Sequence, residues 1–459
     1  MDSILKNGKL FGTDGIRGTP GEYPLTQGMI SKIGYSVARF IAYRKGEFKG
    51  KILIGKDTRL SGDWIETIFV DALTSYGIDV VLTGTITTPG LAFFTRELKA
   101  DLGIMISASH NKATDNGIKF FTHLGQKLSL QDEKWIERVI FTHLIYNYDL
   151  SNERRGEVYK LGEDILRYPA FLKSTLGEVT LDNLVVCLDC ANGSTSFFAK
   201  DLFTQLNATV YSLHDTPSGE KINVGGAVDP YSLRELVLAK NADAGFAFDG
   251  DGDRVIAIDE KGNILDGDYI LAIMGIHFLK NNSLPKNTIV GTVMSNLGLK
   301  IAIEKHGGRV ILTKVGDKYV LEEIIKDGLK LGGEQSGHIV FLDYLPTPDG
   351  MLTALQILKV MKESGKSLGE LASCMEKFPQ ILINVRVKDK VPLSSIQGFE
   401  EVLSNYESKL GSNGRILVRY SGTEPLARIM VEGRHQKEIE DIANSLAEFI
   451  KKEIGEEIN

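Results

Sequence analysis

The stretches Leu184–Cys190 (LVVCLDC), Ser194–Leu206 (STSFFAKDLFTQL) and Thr209–Leu213 (TVYSL) decide the fold class. The first and third are short apolar runs that read as buried strands, and the segment between them has the length of a helix. The same form recurs at Lys51–Gly55, Trp64–Tyr76 and Val80–Thr83. It recurs again at Thr288–Val293, Leu297–His306 and Arg309–Thr313, followed by a helix over Tyr319–Asp327. Leu102–Ser107 adds a short strand. Strands alternating with helices of this length predict βαβ units and mainly parallel sheets. The C-terminal part differs. Strands at Ile381–Val387, Ile416–Tyr420 and Arg428–Glu432 mix with helices Phe399–Leu410 and Lys437–Ile454, an α+β layer. Residue identity reveals no repeat, although the strand–helix units recur three times.

At roughly 150 residues per domain, 459 residues predict about three domains. Polar or proline-bearing breaks at Asn152–Gly156, Glu260–Asn263 and Lys377–Gln380 suggest divisions at 1–153, 154–260, 261–376 and 377–459. The net charge of −7 argues against a nucleic-acid protein held by a general positive field. It leaves room for a local nest of arginines and backbone N–H groups that binds phosphate. Cys187 and Cys190 form a C-x-x-C inside an apolar strand, where positions three apart face opposite sides. They read as structural rather than redox or zinc ligands, and with Cys374 they fit a reducing compartment. Met1–Gly12 has neither an apolar core nor a cleavage signature. The longest apolar run, Tyr269–Leu279, is broken by Gly275 and His277 and falls short of the roughly 18 residues of a membrane span. A cytoplasmic protein is expected.

The glycines cluster in polar loops between apolar segments, where backbone must turn tightly or approach a ligand. Phe11–Gly18 (FGTDGIRG) surrounds an Asp and Arg17 with three glycines. Ile106–Lys119 (ISASHNKATDNGIK) follows an apolar strand, so it belongs at the strand's C-terminal end, where open α/β sheets place ligands. Ser109 in this loop could be a nucleophile if a base or electrophile activates it. His110 beside it reads first as a hydrogen-bonding residue.

Phe248–Arg254 (FDGDGDR) sets Asp249, Asp251 and Asp253 two residues apart. Three such carboxylates repel one another unless a cation lies between them, and a hard ion such as Mg²⁺ suits oxygen ligands. An EF-hand starting at Asp249 would have Glu260 at its twelfth position, but its sixth is Arg254 where glycine is needed, and its flanks read as strands. Gly332–His338 (GGEQSGH) frames Glu334 and Ser336, which suit hydroxyl or amine recognition. Arg419–Arg428 (RYSGTEPLAR) sets two arginines around Ser421, Gly422 and Thr423, a phosphate clamp of guanidinium forks, hydroxyls and backbone N–H groups. Gly365–Ser367 is not a P-loop, because Val360 stands where the first glycine belongs. Together these loops suggest phosphoryl transfer on a phosphosugar.

On these motifs the sequence resembles the α-D-phosphohexomutase superfamily over essentially its whole length. Thr292–Gly298 (TVMSNLG) and Lys314–Val320 (KVGDKYV) favour its glucosamine branch over the glucose and mannose branches. The resemblance implies an α/β protein with three similar mixed or parallel α/β domains and a smaller, more mobile C-terminal α+β domain around a central active-site cleft. It implies interconversion of glucosamine 6-phosphate and glucosamine 1-phosphate for UDP-N-acetylglucosamine and cell-wall synthesis, through phospho-Ser109 and a bisphosphate. It places one Mg²⁺ per chain on Asp249, Asp251, Asp253 and an oxygen on Ser109. Glu334 and Ser336 would meet sugar hydroxyls, and Arg419, Ser421, Gly422, Thr423 and Arg428 would hold the phosphate already on the substrate. Arg17 and Lys119 would lie near the phosphoserine. Lys119 and His110 both stand as candidate proton carriers. A glucose or glucosamine 1,6-bisphosphate would serve as activator, and the phosphosugar would be the partner, with no nucleic acid and no membrane; a homodimer is compatible. Two departures stand out. Lys112 replaces the family's usual Pro after Ser-His-Asn, and Asn223–Pro230 (NVGGAVDP) is looser than the usual Cys-Gly-Ser-Thr stretch. A glucose or mannose phosphate mutase, a silent sugar-phosphate sensor and a phosphatase using Ser109 are the alternatives.

Overall fold

The computed structural model describes residues 10–12, 14–142, 155–421 and 425–455. They fall into two compact units: the residues up to Met294 with His306–Cys374, and Ser295–Lys305 with the residues from Met375 on.

The first unit holds three sheets. The first contains β1 (Ile16–Gly18), β2 (Gly50–Lys56), β3 (Ile78–Thr85), β4 (Leu102–Ile106), β5 (Asn116–Thr122) and β6 (Val158–Lys160), in the order β1-β5-β4-β2-β3-β6. β4, β2, β3 and β6 run parallel, and β5 lies antiparallel between β4 and β1. The second contains β7 (Val185–Asp189), β8 (Thr209–Leu213), β9 (Ala244–Phe248), β10 (Val255–Asp259) and β11 (Ile264–Leu265), in the order β11-β10-β9-β7-β8. The third contains β12 (Thr288–Thr292), β13 (Arg309–Thr313), β14 (Leu331–Gly333) and β15 (Ile339–Phe341), in the order β13-β12-β14-β15.

Each sheet has a run of parallel pairs, as the strand–helix alternation predicts: β4-β2-β3-β6, β9-β7-β8 and β13-β12-β14. The sheet edges depart from it in one recurrent way. A strand of the parallel core is followed in the chain by an antiparallel neighbour: β4 by β5, β9 by β10, β14 by β15. The turn of each such pair therefore sits at the C-terminal end of its parallel core, the end where open sheets take ligands. Those three turns carry Ser109, the three aspartates and Glu334. β4 and β9 are buried at every position, so each reads as an unbroken apolar run rather than an alternation.

The helix expected over Ser194–Leu206 is interrupted. A 3₁₀ turn covers Ser194–Phe197, and the α-helix begins at Ala199. Thr195 Oγ1 donates to the carbonyl of Cys190 at 3.3 Å, and the backbone N–H of Ser194 is taken by the carbonyl of Gly250, in another turn, at 2.9 Å. Hydroxyl residues bonded to nearby backbone compete with helix. Among the described residues, no helix is long and apolar enough to cross a membrane.

The second unit is a sheet of β16 (Gln380–Arg386), β17 (Gly414–Tyr420) and β18 (Leu426–Gly433) in the antiparallel order β16-β18-β17. The helix Gln436–Ile454 buries Ile439, Ile442, Ala443, Leu446 and Ile450 at three- and four-residue spacing. They join Val385, Phe399, Ile429 and Val431 in one core, where a fully buried aliphatic or aromatic side chain contributes about 1.5–3 kcal/mol.

Candidate active site

Ser109 is the hinge of the loop between β4 and β5. It is fully buried and holds a left-handed backbone with φ 52°. Its Oγ donates to Asp249 Oδ2 at 2.7 Å, and its own N–H donates to Ser107 Oγ at 2.9 Å. Ser107 Oγ in turn donates to Asp57 Oδ2 at 2.7 Å. A buried hydroxyl is thus aimed from the first sheet into the turn of the second. His110 Nδ1 lies 3.4 Å from the same Oγ. Burial, with Arg254 and Arg17 nearby, pushes His110 down to about 4, so the imidazole is neutral near pH 7.

Asp249, Asp251 and Asp253 are buried together, and each offers a carboxylate oxygen within 4.8 Å of the others. Gly252, at φ 71°, lets their turn fold without strain. Burial and then Asp253 and Asp251 push Asp249 up to about 8. Asp253 goes the other way. Burial opposes its charge, but Lys119 and His338 hold its carboxyl well below the usual range. Lys119 Nζ donates to Asp251 Oδ2 at 2.8 Å and to Asp253 Oδ2 at 2.9 Å, and lies 3.2 Å from Asp14 Oδ2. Burial opposes its charge too, yet these three carboxylates raise its pKa well above the ordinary lysine value. Asp251 Oδ1 is buried without a hydrogen-bond partner. Three converging hard oxygen donors, one of them with an unused buried oxygen, fit a small divalent cation such as Mg²⁺.

The third turn reaches this cluster through His338. Its Nε2 lies 2.9 Å from Asp253 Oδ1 and its Nδ1 3.1 Å from Glu334 Oε2. Burial and Arg254 oppose a charge there, but Asp253 and Glu334 prevail and push the ring up to about 10. Glu334 Oε1 accepts from Gly316 N at 2.8 Å, and Ser336 is half-buried in the same turn. Gly337 makes the contact with the second sheet close: a Cβ there would lie 2.3 Å from the carbonyl of Val255.

Arg17 joins from β1, donating to Asn111 Oδ1 at 2.8 Å and to Asp14 Oδ2 at 2.6 Å. Asp14 also takes Lys127 Nζ at 2.5 Å, and Lys127 continues to Asp317 Oδ2 at 2.6 Å. A cavity of about 540 Å³ opens beside Lys127 and Asp317, walled by Phe40, Leu102, Leu128 and Pro346, and neither Ser109 nor the aspartates line it.

In the second unit, Arg419 and Arg428 stand directly opposite each other on β17 and β18. Burial and the like charge of the facing Arg428 lower the pKa of Arg419. Arg428 Nη2 lies 3.4 Å from Ser421 Oγ. Gly422 and Thr423 lie outside the described residues.

The first unit therefore brings together Ser109, His110, Arg17, Lys119, Asp249, Asp251, Asp253 and, through His338, Glu334. The sequence reading gave no role to Arg59, Asn223, His338, Lys127 or Asp317. Arg59 donates to the carbonyls of Ser109 and Asn111, both at 2.9 Å, to that of Asp115 at 2.8 Å and to that of Lys112. Its place at the C-terminal end of β2 was the one signal available. The loop uses the Lys112 carbonyl, which any residue supplies, and leaves its side chain exposed.

Four segments match the phosphoglucomutase/phosphomannomutase family: alpha/beta/alpha domain I over residues 8–146, domain II over 167–262, domain III over 266–378, and the C-terminal domain over 382–449. A phosphoglucosamine mutase of Geobacter metallireducens is 46% identical over 97% of this chain and 99% of its own. One of Syntrophus aciditrophicus is 47% identical over 98% of this chain and 100% of its own. A crystal structure of a phosphoglucomutase/phosphomannomutase family protein from Burkholderia thailandensis superposes with a TM-score of 0.79 at 22% identity, covering 97% of this chain and 98% of that one.

Proposed function

We infer that this chain, which belongs to the phosphoglucomutase/phosphomannomutase family, is an intramolecular phosphotransferase that interconverts glucosamine 6-phosphate and glucosamine 1-phosphate. Identity near 46% over almost the whole length of phosphoglucosamine mutases supports the reaction. The observation that carries the chemistry is the buried Ser109 Oγ held 2.7 Å from Asp249 Oδ2.

In this account Ser109 carries a phosphoryl group. The free hydroxyl of the sugar monophosphate attacks it, the P–Oγ bond breaks and a P–O bond to the sugar forms, leaving a bisphosphate and a serine hydroxyl. The sugar hydroxyl loses one proton and Oγ gains one. His110 and Lys119 stand as the candidate proton carriers: His110 Nδ1 lies 3.4 Å from Oγ, and the Lys119 ammonium meets Asp251 and Asp253 in the same cluster. The bisphosphate then turns round, and its other phosphate returns to Ser109. Asp249, Asp251 and Asp253, with an oxygen on Ser109, would hold one Mg²⁺, which neutralises charge on the transferring phosphoryl group. Arg17 lies by the serine loop to bind phosphoryl oxygens. Glu334 and Ser336 would meet sugar hydroxyls. Arg419, Ser421, Gly422, Thr423 and Arg428 would grip the phosphate that is not reacting, so that remote binding positions the reacting end. A glucose or glucosamine 1,6-bisphosphate would reload Ser109 after loss to water. We place the enzyme in the cytoplasm, supplying sugar phosphate for UDP-N-acetylglucosamine and cell-wall synthesis, acting without nucleic acid or membrane and compatible with a homodimer.

³¹P NMR of the phosphorylated protein with Mg²⁺ and glucosamine 6-phosphate, beside glucose and mannose 6-phosphates, tests this. Glucosamine 1-phosphate should grow fastest. Faster isomerisation of a neutral hexose phosphate would move the chain to another branch, and release of inorganic phosphate alone would make it a phosphatase.

A further inference from the structure

Asn223 begins the stretch that departs from the family's usual pattern, and the scheme above gives it no part. We propose that Asn223 is a positioning residue whose carboxamide sets the register of the Ser109 loop against the aspartate turn; this rests on Ser109 being the phosphoryl carrier.

One amide reaches three backbone groups in two loops. Nδ2 donates to the carbonyls of Ser109 at 2.8 Å and Asn111 at 2.9 Å, and Oδ1 accepts from Gly250 N at 2.8 Å. The orientation of the amide is fixed by its partners, because carbonyls accept only from the NH₂ and an N–H donates only to the oxygen. Asn223 is itself anchored to the second sheet. Its backbone N–H donates to the carbonyl of Ala191 at 2.9 Å, and Ala191 N–H donates to Asp189 Oδ1, at the end of β7, at 2.9 Å.

The Ser109 loop needs such an anchor. A serine at φ 52° holds a conformation that L-residues disfavour, and it persists only where surroundings over-determine it. The Ser109 carbonyl has two fixed donors, Arg59 from the first sheet and Asn223 from the second. Arg59 is buried and spans four carbonyls, so its loss would dismantle the whole loop. Asn223 is half-buried, and it alone of the two ties the serine to the turn that carries Asp249, Asp251 and Asp253. In-line transfer tolerates little displacement of the reacting group. Slack between these loops therefore slows the transfer step and leaves the sugar contacts, which lie on other loops, unchanged.

Two substitutions separate this role from folding. Asn223 has φ 64°, which glycine accepts freely, so Asn223→Gly removes the amide without adding strain. Asn223→Asp is isosteric and keeps the acceptor for Gly250 N, but turns an oxygen toward two carbonyls. Both variants and the unsubstituted enzyme, phosphorylated on Ser109, are mixed with glucosamine 6-phosphate and Mg²⁺ in single turnover. Loss of phosphoserine is followed by intact mass, with the thermal midpoint measured alongside. The transfer rate should fall about tenfold or more in both variants, with half-saturating sugar within about twofold of the unsubstituted value. Asn223→Asp should be at least as slow as Asn223→Gly. Unsubstituted rates in either variant would overturn the role of Asn223 and leave that of Ser109 standing. Sugar isomerisation by the unsubstituted enzyme without any draw on phospho-Ser109 would overturn both. If Asn223→Gly does not fold, Asn223→Asp decides alone.

Discussion

Ser109 and Asp249 stand 140 residues apart in sequence, yet Ser109 Oγ donates to Asp249 Oδ2 at 2.7 Å. Each residue lies in the turn between a parallel-core strand and its antiparallel neighbour, one in the first sheet and one in the second. The same device, used in separate sheets, thus presents a buried hydroxyl to a carboxylate cluster.

Replacing the hydroxyl should abolish turnover with little effect on the fold. Ser109→Ala removes the Oγ that would carry the phosphoryl group, and mutase activity should fall by at least about three orders of magnitude. The thermal midpoint should move only a few degrees. Retention of even a tenth of the activity would exclude Ser109 as the carrier.

The carboxylate cluster should be the metal site. Asp251→Asn removes one anionic donor from the group that includes the unpartnered Asp251 Oδ1. Mg²⁺ affinity measured by calorimetry should weaken by roughly a hundredfold. An unchanged affinity would place the ion elsewhere.

The cysteines should behave as core residues. Burial pushes Cys187 up to about 11, Cys190 up to about 12 and Cys374 up to about 11. A raised thiol pKa means less thiolate at any given pH, and the thiolate is the nucleophile. At pH 8 a disulfide-exchange reagent should therefore leave Cys187 and Cys190 untouched in the native enzyme, and all three should react in denaturant. Fast native labelling of either would reopen a redox reading.

The Asp14–Lys127–Asp317 chain ties the first sheet's site loop to the start of the helix Asp317–Asp327. Lys127→Met takes the paired cation from Asp317, while Asp14 keeps Arg17 and Lys119, and should cost about 3 kcal/mol, measured by denaturant unfolding. Adding Asp317→Asn should restore part of that loss. Additive losses in the double variant would show that the two side chains are not coupled.

The chemistry-bearing turns were legible because each lies in one continuous stretch framed by glycines. The aspartates at 249, 251 and 253 call for a neighbouring positive charge by their own repulsion, which the Lys119 ammonium meets in part, and the strands on either side exclude an EF-hand. Contacts made across sheets were not legible. Nothing within five residues of Asn223 reveals that its amide meets Ser109 and Gly250. The helix Gly350–Ser364 was left out of the sequence reading although Thr353, Gln356, Lys359 and Glu363 recur at three- and four-residue spacing; in the structure even Thr353 and Gln356 are buried. Arg59 shows a third limit. Its neighbours in sequence mark a strand end, but four carbonyls in a distant loop define its role.

The central claim is that the phosphoryl group passes from Ser109 to the sugar. The direct measurement starts with enzyme carrying ³²P on Ser109 and unlabelled glucosamine 6-phosphate in excess, quenched through the first turnover. The account predicts that label leaves the protein and appears in the sugar bisphosphate and monophosphates as quickly as the first glucosamine 1-phosphate forms. Unlabelled glucosamine 1-phosphate accumulating while the label stays on Ser109 would contradict it.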